Sequence, residues 1–323
     1  VRVVLTAGGG GHTGYAVALA QRLTGRVELT FIVSEGDLWS FQRVSRFGNV
    51  VELPRLRSPD NPKPAILTIH KFINSLIKSY FKLPQDTVVF ISTGSNIAIA
   101  PALTNRVRGR YVVNMECVDR IVTPTKTAKI LYKFSNITVL HWEEQLRHYP
   151  KAVVVGPIYE KPEYEPYNGG YILVTAGTYG FKEFFDELIK LDLDKVVVQT
   201  GMVDPEPYRR LKPNWIFFKF DPDFSKWIAG ADIVVSHLGL TLVNAALGYG
   251  KPVITIHNPK WRLAGSRDDA KILTEKLAGV FLEEIEASKI LRAIKDVENR
   301  KPPRYADGAE ELVKLLSEYL SSY

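Results

Sequence analysis

The run from Val1 to Ala7 is apolar except for Arg2 and Thr6. It ends in four consecutive glycines, Gly8–Gly11, and then His12, Thr13 and Gly14. Ala16, Val17, Leu19, Ala20 and Leu23 follow at helical spacing. A buried strand that turns through glycine into a helix is the opening unit of a doubly wound α/β domain. Glycine lets the backbone pass close to a ligand, and the helix start offers unpaired N–H groups to an anion. His12 therefore stands where such a unit holds a phosphate or does chemistry.

The alternation continues along the chain. Residues 27–34, 87–93, 111–115, 137–140 and 152–155 read as further strands. They lack in/out alternation, which fits a parallel sheet covered on both faces. Pro157, Pro162 and Pro166 then interrupt the pattern, so 157–170 reads as a linker between a domain over 1–156 and a second over 171–308. The second series of strands is 171–175, 195–200, 215–220, 233–236 and 253–256, with a helix over 181–190. Residues 309–323 form an amphipathic helical pattern that can return to pack on the first domain. Open α/β sheets bind ligands beyond the carboxyl ends of their strands, so the informative residues belong in the loops that follow strands.

Composition narrows the class. At 46% hydrophobic and 24% charged residues, the chain is an ordinary globular protein. No apolar run has the ~18–20 residues that span a bilayer. The first residues read as a strand rather than a signal peptide. Cys117 is the sole cysteine, which excludes an intrachain disulfide and a cysteine zinc site. A cytoplasmic location is expected. Residues 1–156 hold 20 Lys and Arg against 10 Asp and Glu, whereas the remainder hold 22 against 25. The first half thus suits an anionic partner: a phosphorylated ligand, a membrane surface or nucleic acid.

Several loops carry candidate chemistry. Gly9, Gly11 and Gly14 match G-x-G-x-x-G, with Glu35 near the spacing of a ribose-binding acid, although a dinucleotide fingerprint does not call for His12. Ser92-Thr93-Gly94-Ser95 precedes a helix and serves either as a cap or as an oxyanion site. Glu116 follows a strand, where it either takes a proton in the cleft or pairs with Arg120 at the surface. In the second half, Gly177 and Thr178 stand at another strand–glycine–helix junction. Ser236, His237, Gly239 and Thr241 start a helix suited to a diphosphate, and His257 and Asn258 end the next strand. Over 70–83, Lys71, Lys78 and Lys82 flank a stripe containing Phe72, Ile73, Leu76, Ile77, Tyr80 and Phe81, as in a core-packed surface helix or an interfacial one. The histidines show no metal-ligand spacing, and Asp192/Asp194 and Asp221/Asp223 read as surface carboxylates, so no metal is expected.

The order of these motifs resembles a known enzyme family. Gly10-Gly11-His12-Thr13-Gly14, Met115-Glu116 with Arg120, Thr127–Tyr132, and Tyr149-Pro150-Lys151-Ala152 with Gly156 resemble the membrane-recruiting subunit of the enzyme that adds the second N-acetylglucosamine to dolichol-linked chitobiose. Val174–Thr178, Ser236–Gly239, Gly250-Lys251-Pro252 and Asn258-Pro259 resemble its catalytic, donor-binding subunit. The bacterial transferase that completes the peptidoglycan lipid intermediate is similar but more distant. The chain looks like a single-chain, archaeal fusion of the two subunits.

The resemblance implies a GT-B fold, with two Rossmann-like doubly wound domains facing a central cleft. It implies a UDP-sugar donor, usually UDP-N-acetylglucosamine, and a polyprenyl-linked phosphosugar acceptor at the cytoplasmic face of the membrane. The expected reaction is inverting, with His12 or Glu116 as base and no cofactor beyond the donor. Gly177, Thr178, Ser236, His237, Gly239, Thr241, Asn244 and Asn258 are expected around the donor. Gly10, Gly11, Thr13, Gly94 and Ser95 are expected around the acceptor phosphate. Lys71, Phe72, Lys78, Phe81 and Lys82 are expected on an anionic membrane surface, and nucleic acid is not expected as a partner. The family usually has glutamate where Tyr15 and Ala245 stand, and a His-Gln pair near Arg267-Asp268. The alternatives are an NAD(P)-dependent oxidoreductase resting on Gly9–Gly14 and Glu35, and a nucleotide-sugar-binding protein without catalysis.

Overall fold

The computed structural model describes residues 1–56, 69–259 and 265–321. The chain divides into two compact units. One is Val1–Glu160 with the chain from Ala306 onward, and the other is Lys161–Tyr305.

Among the described residues, the first unit has a seven-stranded parallel sheet. Its strands are β1 (Arg2–Ala7), β2 (Glu28–Ser34), β3 (Asn49–Leu53), β4 (Thr87–Ser92), β5 (Tyr111–Met115), β6 (Ile137–Leu140) and β7 (Val153–Val154). The order is β3-β2-β1-β4-β5-β6-β7. The central strands β1, β2 and β4 are buried on both faces, which is why they read as unbroken apolar runs rather than alternating ones. Helices α1 (Gly11–Leu23), α2 (Leu38–Val44), α3 (Ile69–Lys82), α4 (Ile99–Val107) and α5 (Lys126–Tyr132) connect them.

The second unit repeats the plan with β8 (Ile172–Thr175), β9 (Val196–Gln199), β10 (Ile216–Phe218), β11 (Ile233–His237), β12 (Val253–Ile256) and β13 (Val280–Leu282), ordered β10-β9-β8-β11-β12-β13. Its helices are α6 (Lys182–Leu188), α7 (Glu206–Leu211), α8 (Ser225–Gly230), α9 (Leu240–Val243), α10 (Arg267–Lys276) and α11 (Ala287–Val297). Phe184, Phe185, Tyr208, Trp215 and Phe217 fill its core with edge and stacked ring contacts.

The last helix, α12 (Gly308–Leu320), belongs to the first unit. Asp307 caps it by accepting from the amides of Ala309 and Glu310, and also pairs with the buried Arg22 of α1 at 2.5 Å. The final two residues of the helical pattern expected over 309–323 lie outside the described residues.

The segment 157–170 is not a free linker. Ile158 is buried and its amide donates to His141 Nδ1, and Glu160 pairs with Arg43 of α2. From Lys161 onward the segment belongs to the second unit, where the amides of Tyr167 and Gly169 donate to the carbonyls of Ala229 and Gly230. Prolines there fix an extended path that side chains and carbonyls then hold.

The sheet orders place the switch points between β1 and β4 and between β8 and β11. Helices leave the two strands there on opposite faces and open a crevice at the carboxyl ends. Among the described residues, no helix is long and apolar enough to cross a membrane.

Candidate active site

In the first unit the loop after β1 turns through Gly9 and Gly10, both at positive φ (91° and 53°), and α1 begins with no side-chain cap and no acid in its first turn. A Cβ at Gly10 would meet nothing within 4 Å, and Gly11 is exposed, so this backbone is open to a ligand. Ser95 stands against it. A Cβ on Gly8 would lie 2.3 Å from the Ser95 side chain, so glycine is what lets the loops after β1 and β4 meet.

His12 sits in the first turn of α1, half-buried. Its Nδ1 is 2.6 Å from the Thr93 carbonyl. A carbonyl only accepts, so Nδ1 carries the proton and Nε2 keeps a lone pair. Burial lowers the pKa of the imidazole; the Thr93 carbonyl and Asp119 oppose that, and Arg120 adds to it. The result is a neutral, oriented imidazole beside an exposed glycine loop.

Two of the expected phosphate ligands have other duties. Thr13 is fully buried; it accepts from the Gly9 amide at 3.1 Å and bonds Ser40 Oγ at 2.8 Å. Ser40 in turn donates to Asp37, so Thr13 is the donor to Ser40 and stitches the loop to α2. Gly94 is also buried, its amide donating to Ser92 Oγ, and a Cβ there would lie 3.1 Å from Cys117 Sγ.

Glu116 is not placed to take a proton from a substrate, nor to pair with Arg120 at the surface. Its carboxylate is fully buried and accepts from the amides of Cys117 (2.8 Å) and Thr125 (3.0 Å) and from the Tyr149 hydroxyl (2.6 Å). Burial raises its pKa, and the hydrogen bonds from Tyr149, Cys117 and Thr125 pull it back. Around it, Gln145 donates to the carbonyls of Cys117 and Arg120, Trp142 to that of Val118, and Arg147 to that of Ile121. Tyr15 accepts from the Val118 amide at 2.8 Å and stacks on His141. His141 is neutral, its pKa lowered to about 4 by burial, donating from Nε2 to the Glu116 carbonyl. These side chains fix the course of the loop 116–125, which brings Cys117 Sγ within 4.0 Å of His12 Nδ1. The Met115-Glu116 and Tyr149 marks are thus scaffold, and Tyr15 is part of it.

In the second unit, Gly177 and Gly180 have positive φ (69° and 73°), and the loop they shape packs backbone to backbone on the loop after β9. The Met202 amide donates to the Thr178 carbonyl at 2.9 Å, and a Cβ on Gly201 would lie 2.4 Å from that oxygen. His237 lies against Gly177, whose Cβ would come 2.5 Å from the imidazole Cε1. Burial lowers the His237 pKa to about 4, and neither its Nδ1 nor Ser236 Oγ, both buried, has a hydrogen-bond partner among the described residues. His237, His257 and Asn258 line one pocket with Leu238, Ile256 and Gly265. Gly239 caps α9, Thr241 is half-buried in its first turn, and Asn244 opens a wide π turn over Asn244–Gly248. Ala245 is fully buried in that turn. Lys251 is scaffold, donating to the Tyr167 carbonyl at 2.8 Å. Arg267 forms a two-pronged pair with Glu283, and Asp268 is exposed.

Helix α3 is amphipathic the wrong way round for core packing. Ser75 and Ser79 are buried, while Ile69, Ile73, Ile77 and Phe81 are exposed by 58, 50, 52 and 77% in one i, i+4 stripe beside Tyr80. Lys71, Phe81 and Lys82 are exposed as expected of a contact face. Phe72 is not; it is half-buried. Lys78 is half-buried and pairs with Glu35 at 2.6 Å. That pair also engages the acid on which a dinucleotide reading rests.

The family model of Alg14-like oligosaccharide biosynthesis proteins matches residues 2–158, and that of the glycosyltransferase family 28 C-terminal domain matches 171–318. The chain joins an Alg14-like domain to a family 28 glycosyltransferase domain. A UDP-N-acetylglucosamine--N-acetylmuramyl-(pentapeptide) pyrophosphoryl-undecaprenol N-acetylglucosamine transferase of Flavobacterium psychrophilum is 25% identical over 315 residues, covering 88% of this chain and 84% of that protein. An uncharacterized glycosyltransferase of Methanosarcina mazei is 24% identical over 212 residues, covering 63% and 54%. Among solved structures, Acinetobacter baumannii MurG superposes with a TM-score of 0.60 at 15% identity, over 98% of this chain and 99% of that one. The UDP-GlcNAc 2-epimerase of Neisseria meningitidis, bound to UDP-GlcNAc, gives 0.62 at 14% identity over the whole of both chains. Transferase and epimerase share the GT-B fold, so the family 28 domain rather than the fold assigns this chain to the transferases. Among the described residues, the Alg14-like half has an exposed glycine loop beside His12, and the family 28 half has a pocket beside His237.

Proposed function

We propose that the chain is an inverting transferase that moves N-acetylglucosamine from UDP-N-acetylglucosamine to a polyprenyl-linked phosphosugar of the dolichol type. The Alg14-like unit holds the acceptor and the family 28 unit holds the donor. The observation that carries this reading is the 2.6 Å bond from His12 Nδ1 to the Thr93 carbonyl, which leaves Nε2 free to accept a proton from an acceptor hydroxyl. As that oxygen attacks the anomeric carbon, the bond to the diphosphate breaks and UDP leaves. The amides of the glycine turn at Gly10 and Gly11, with Ser95 beside them, suit the acceptor phosphate. Gly177, Ser236, His237 and Asn258 suit the donor diphosphate and sugar, with the buried Ser236 hydroxyl and His237 Nδ1 as ready hydrogen-bonding groups. The outward stripe of α3, flanked by Lys71 and Lys82, suits the surface of an anionic membrane, where a polyprenyl acceptor resides.

The test is transfer of labelled sugar from a panel of nucleotide sugars to a synthetic short-chain polyprenyl diphosphoryl-N-acetylglucosamine. UDP-N-acetylglucosamine is the expected donor. Absence of transfer from every donor, with no binding of UDP, would remove the proposal.

A further inference from the structure

Thr6 is the penultimate residue of β1 and Thr93 directly follows the adjacent β4, at the switch point of the first sheet, and both are fully buried. The Thr93 amide donates to Thr6 Oγ1 at 3.0 Å, and the Thr93 hydroxyl donates to the Thr6 carbonyl at 2.8 Å. The two hydroxyl oxygens lie 3.2 Å apart. The Thr93 proton is committed to the carbonyl, so the Thr6 hydroxyl donates across that gap. Three bonds therefore close between two residues far apart in sequence. With its amide and hydroxyl both turned to Thr6, Thr93 presents its carbonyl to His12. The other end of the same peptide is held as well, because the Gly94 amide donates to Ser92 Oγ at 3.2 Å. Gly94 has φ 92°, and a Cβ there would lie 3.1 Å from Cys117 Sγ, so this turn favours glycine.

We propose that Thr6 is a positioning residue for sugar transfer: through Thr93 it aims the one carbonyl that selects the Nδ1–H tautomer of His12. The inference rests on the reading of His12 as the base. Without the Thr6 hydroxyl, the Thr93 amide loses its acceptor; the bonds from the Thr93 hydroxyl and the Gly94 amide remain, but the Thr93 main chain loses one of its anchors and its carbonyl is aimed less tightly, so His12 is held less firmly to one tautomer. The sequence marks only Thr93, within the Ser92–Ser95 loop; Thr6, inside an apolar strand, reads as an ordinary β-sheet former.

The experiment uses the full chain labelled with ¹⁵N-histidine, with the His12 resonances assigned from the spectrum of His12→Ala. In the wild type, His12 is expected to show the neutral pattern with Nε2 unprotonated. Thr6→Val keeps the shape and removes the hydroxyl; it should give mixed tautomers and lower kcat about tenfold, with the KM for UDP-N-acetylglucosamine changed less than about twofold. Thr6→Ser should restore both. Thr93→Val, which keeps the backbone amide, is the second variant should Thr6→Val fail to fold, and a weaker shift in the same direction is expected. A folded valine variant with the wild-type tautomer pattern overturns the proposal. A shifted tautomer with unchanged kcat upholds the clamp and overturns the reading of His12 as base.

Discussion

The two switch-point histidines sit in comparable places and are built differently. His12 opens α1 after β1, and His237 ends β11 before α9. Each has its imidazole beside a glycine in the loop after the neighbouring strand, Gly94 for His12 and Gly177 for His237, and burial lowers the pKa of each. His12 has its Nδ1 bound to a carbonyl that is itself clamped. His237 has a buried Nδ1 without a partner among the described residues, and rests its ring on Gly177. One imidazole is oriented by the protein before any ligand arrives. The other rests its ring on Gly177 and has a buried Nδ1 without a partner among the described residues. On the proposed function this difference separates a proton acceptor from a binding group, although the sequence writes both as histidine beside glycine.

Substitution tests this contrast in order of size. His12→Ala should cut transfer about 10²- to 10⁴-fold while leaving UDP binding unchanged by calorimetry. Gly177→Ala puts a side chain at φ 69° and 2.5 Å from His237, so it should raise the donor KM about tenfold or more with a smaller effect on kcat. A comparable loss of donor affinity is expected for His237→Ala. If that variant instead behaves like His12→Ala, with intact binding and lost turnover, the assignment of roles is reversed. Replacing Ile77 and Phe81 by glutamate should weaken sedimentation with anionic vesicles about fivefold, without altering transfer to a soluble short-chain acceptor. The smallest effect concerns the scaffold. Tyr149→Phe should lower stability by about 1–3 kcal/mol in denaturant titration, because a buried carboxylate loses a donor.

Much of the fold was legible because parallel strands buried on both faces write themselves as apolar runs, and the loops after β1, β4, β8 and β11 carry glycine and small polar residues. Of the four edge strands, β7 and β10 were read but β3 and β13 were not. β3 has a half-buried Val50-Val51 pair between polar Asn49 and Glu52 with Leu53 alone buried, and β13 is three residues long; short, half-covered strands lose the signal. Glu116 looked like a cleft acid because it follows a strand. The donors that bury it include Tyr149, 33 residues on, and nothing local announces such a partner. Thr13 failed likewise, since Ser40 lies on another helix. The stripe on α3 was readable, but its direction was not. Periodicity gives a face, and only the fold shows that Ser75 and Ser79 turn inward and the isoleucines outward. The Thr6–Thr93 clamp was not legible: Thr93 stood out only as part of the Ser92–Ser95 loop, and Thr6 looks like an ordinary strand residue.

The most direct measurement is the pH dependence of kcat/KM for transfer from UDP-N-acetylglucosamine in the wild type, His12→Ala and His237→Ala. The base must be unprotonated, so the rate falls as pH drops through the pKa of free His12, which burial holds below the ordinary imidazole value. A single acid limb in that range is predicted for the wild type and for His237→Ala, and its loss is predicted for His12→Ala. The same limb persisting in His12→Ala, or vanishing in His237→Ala, would contradict the account.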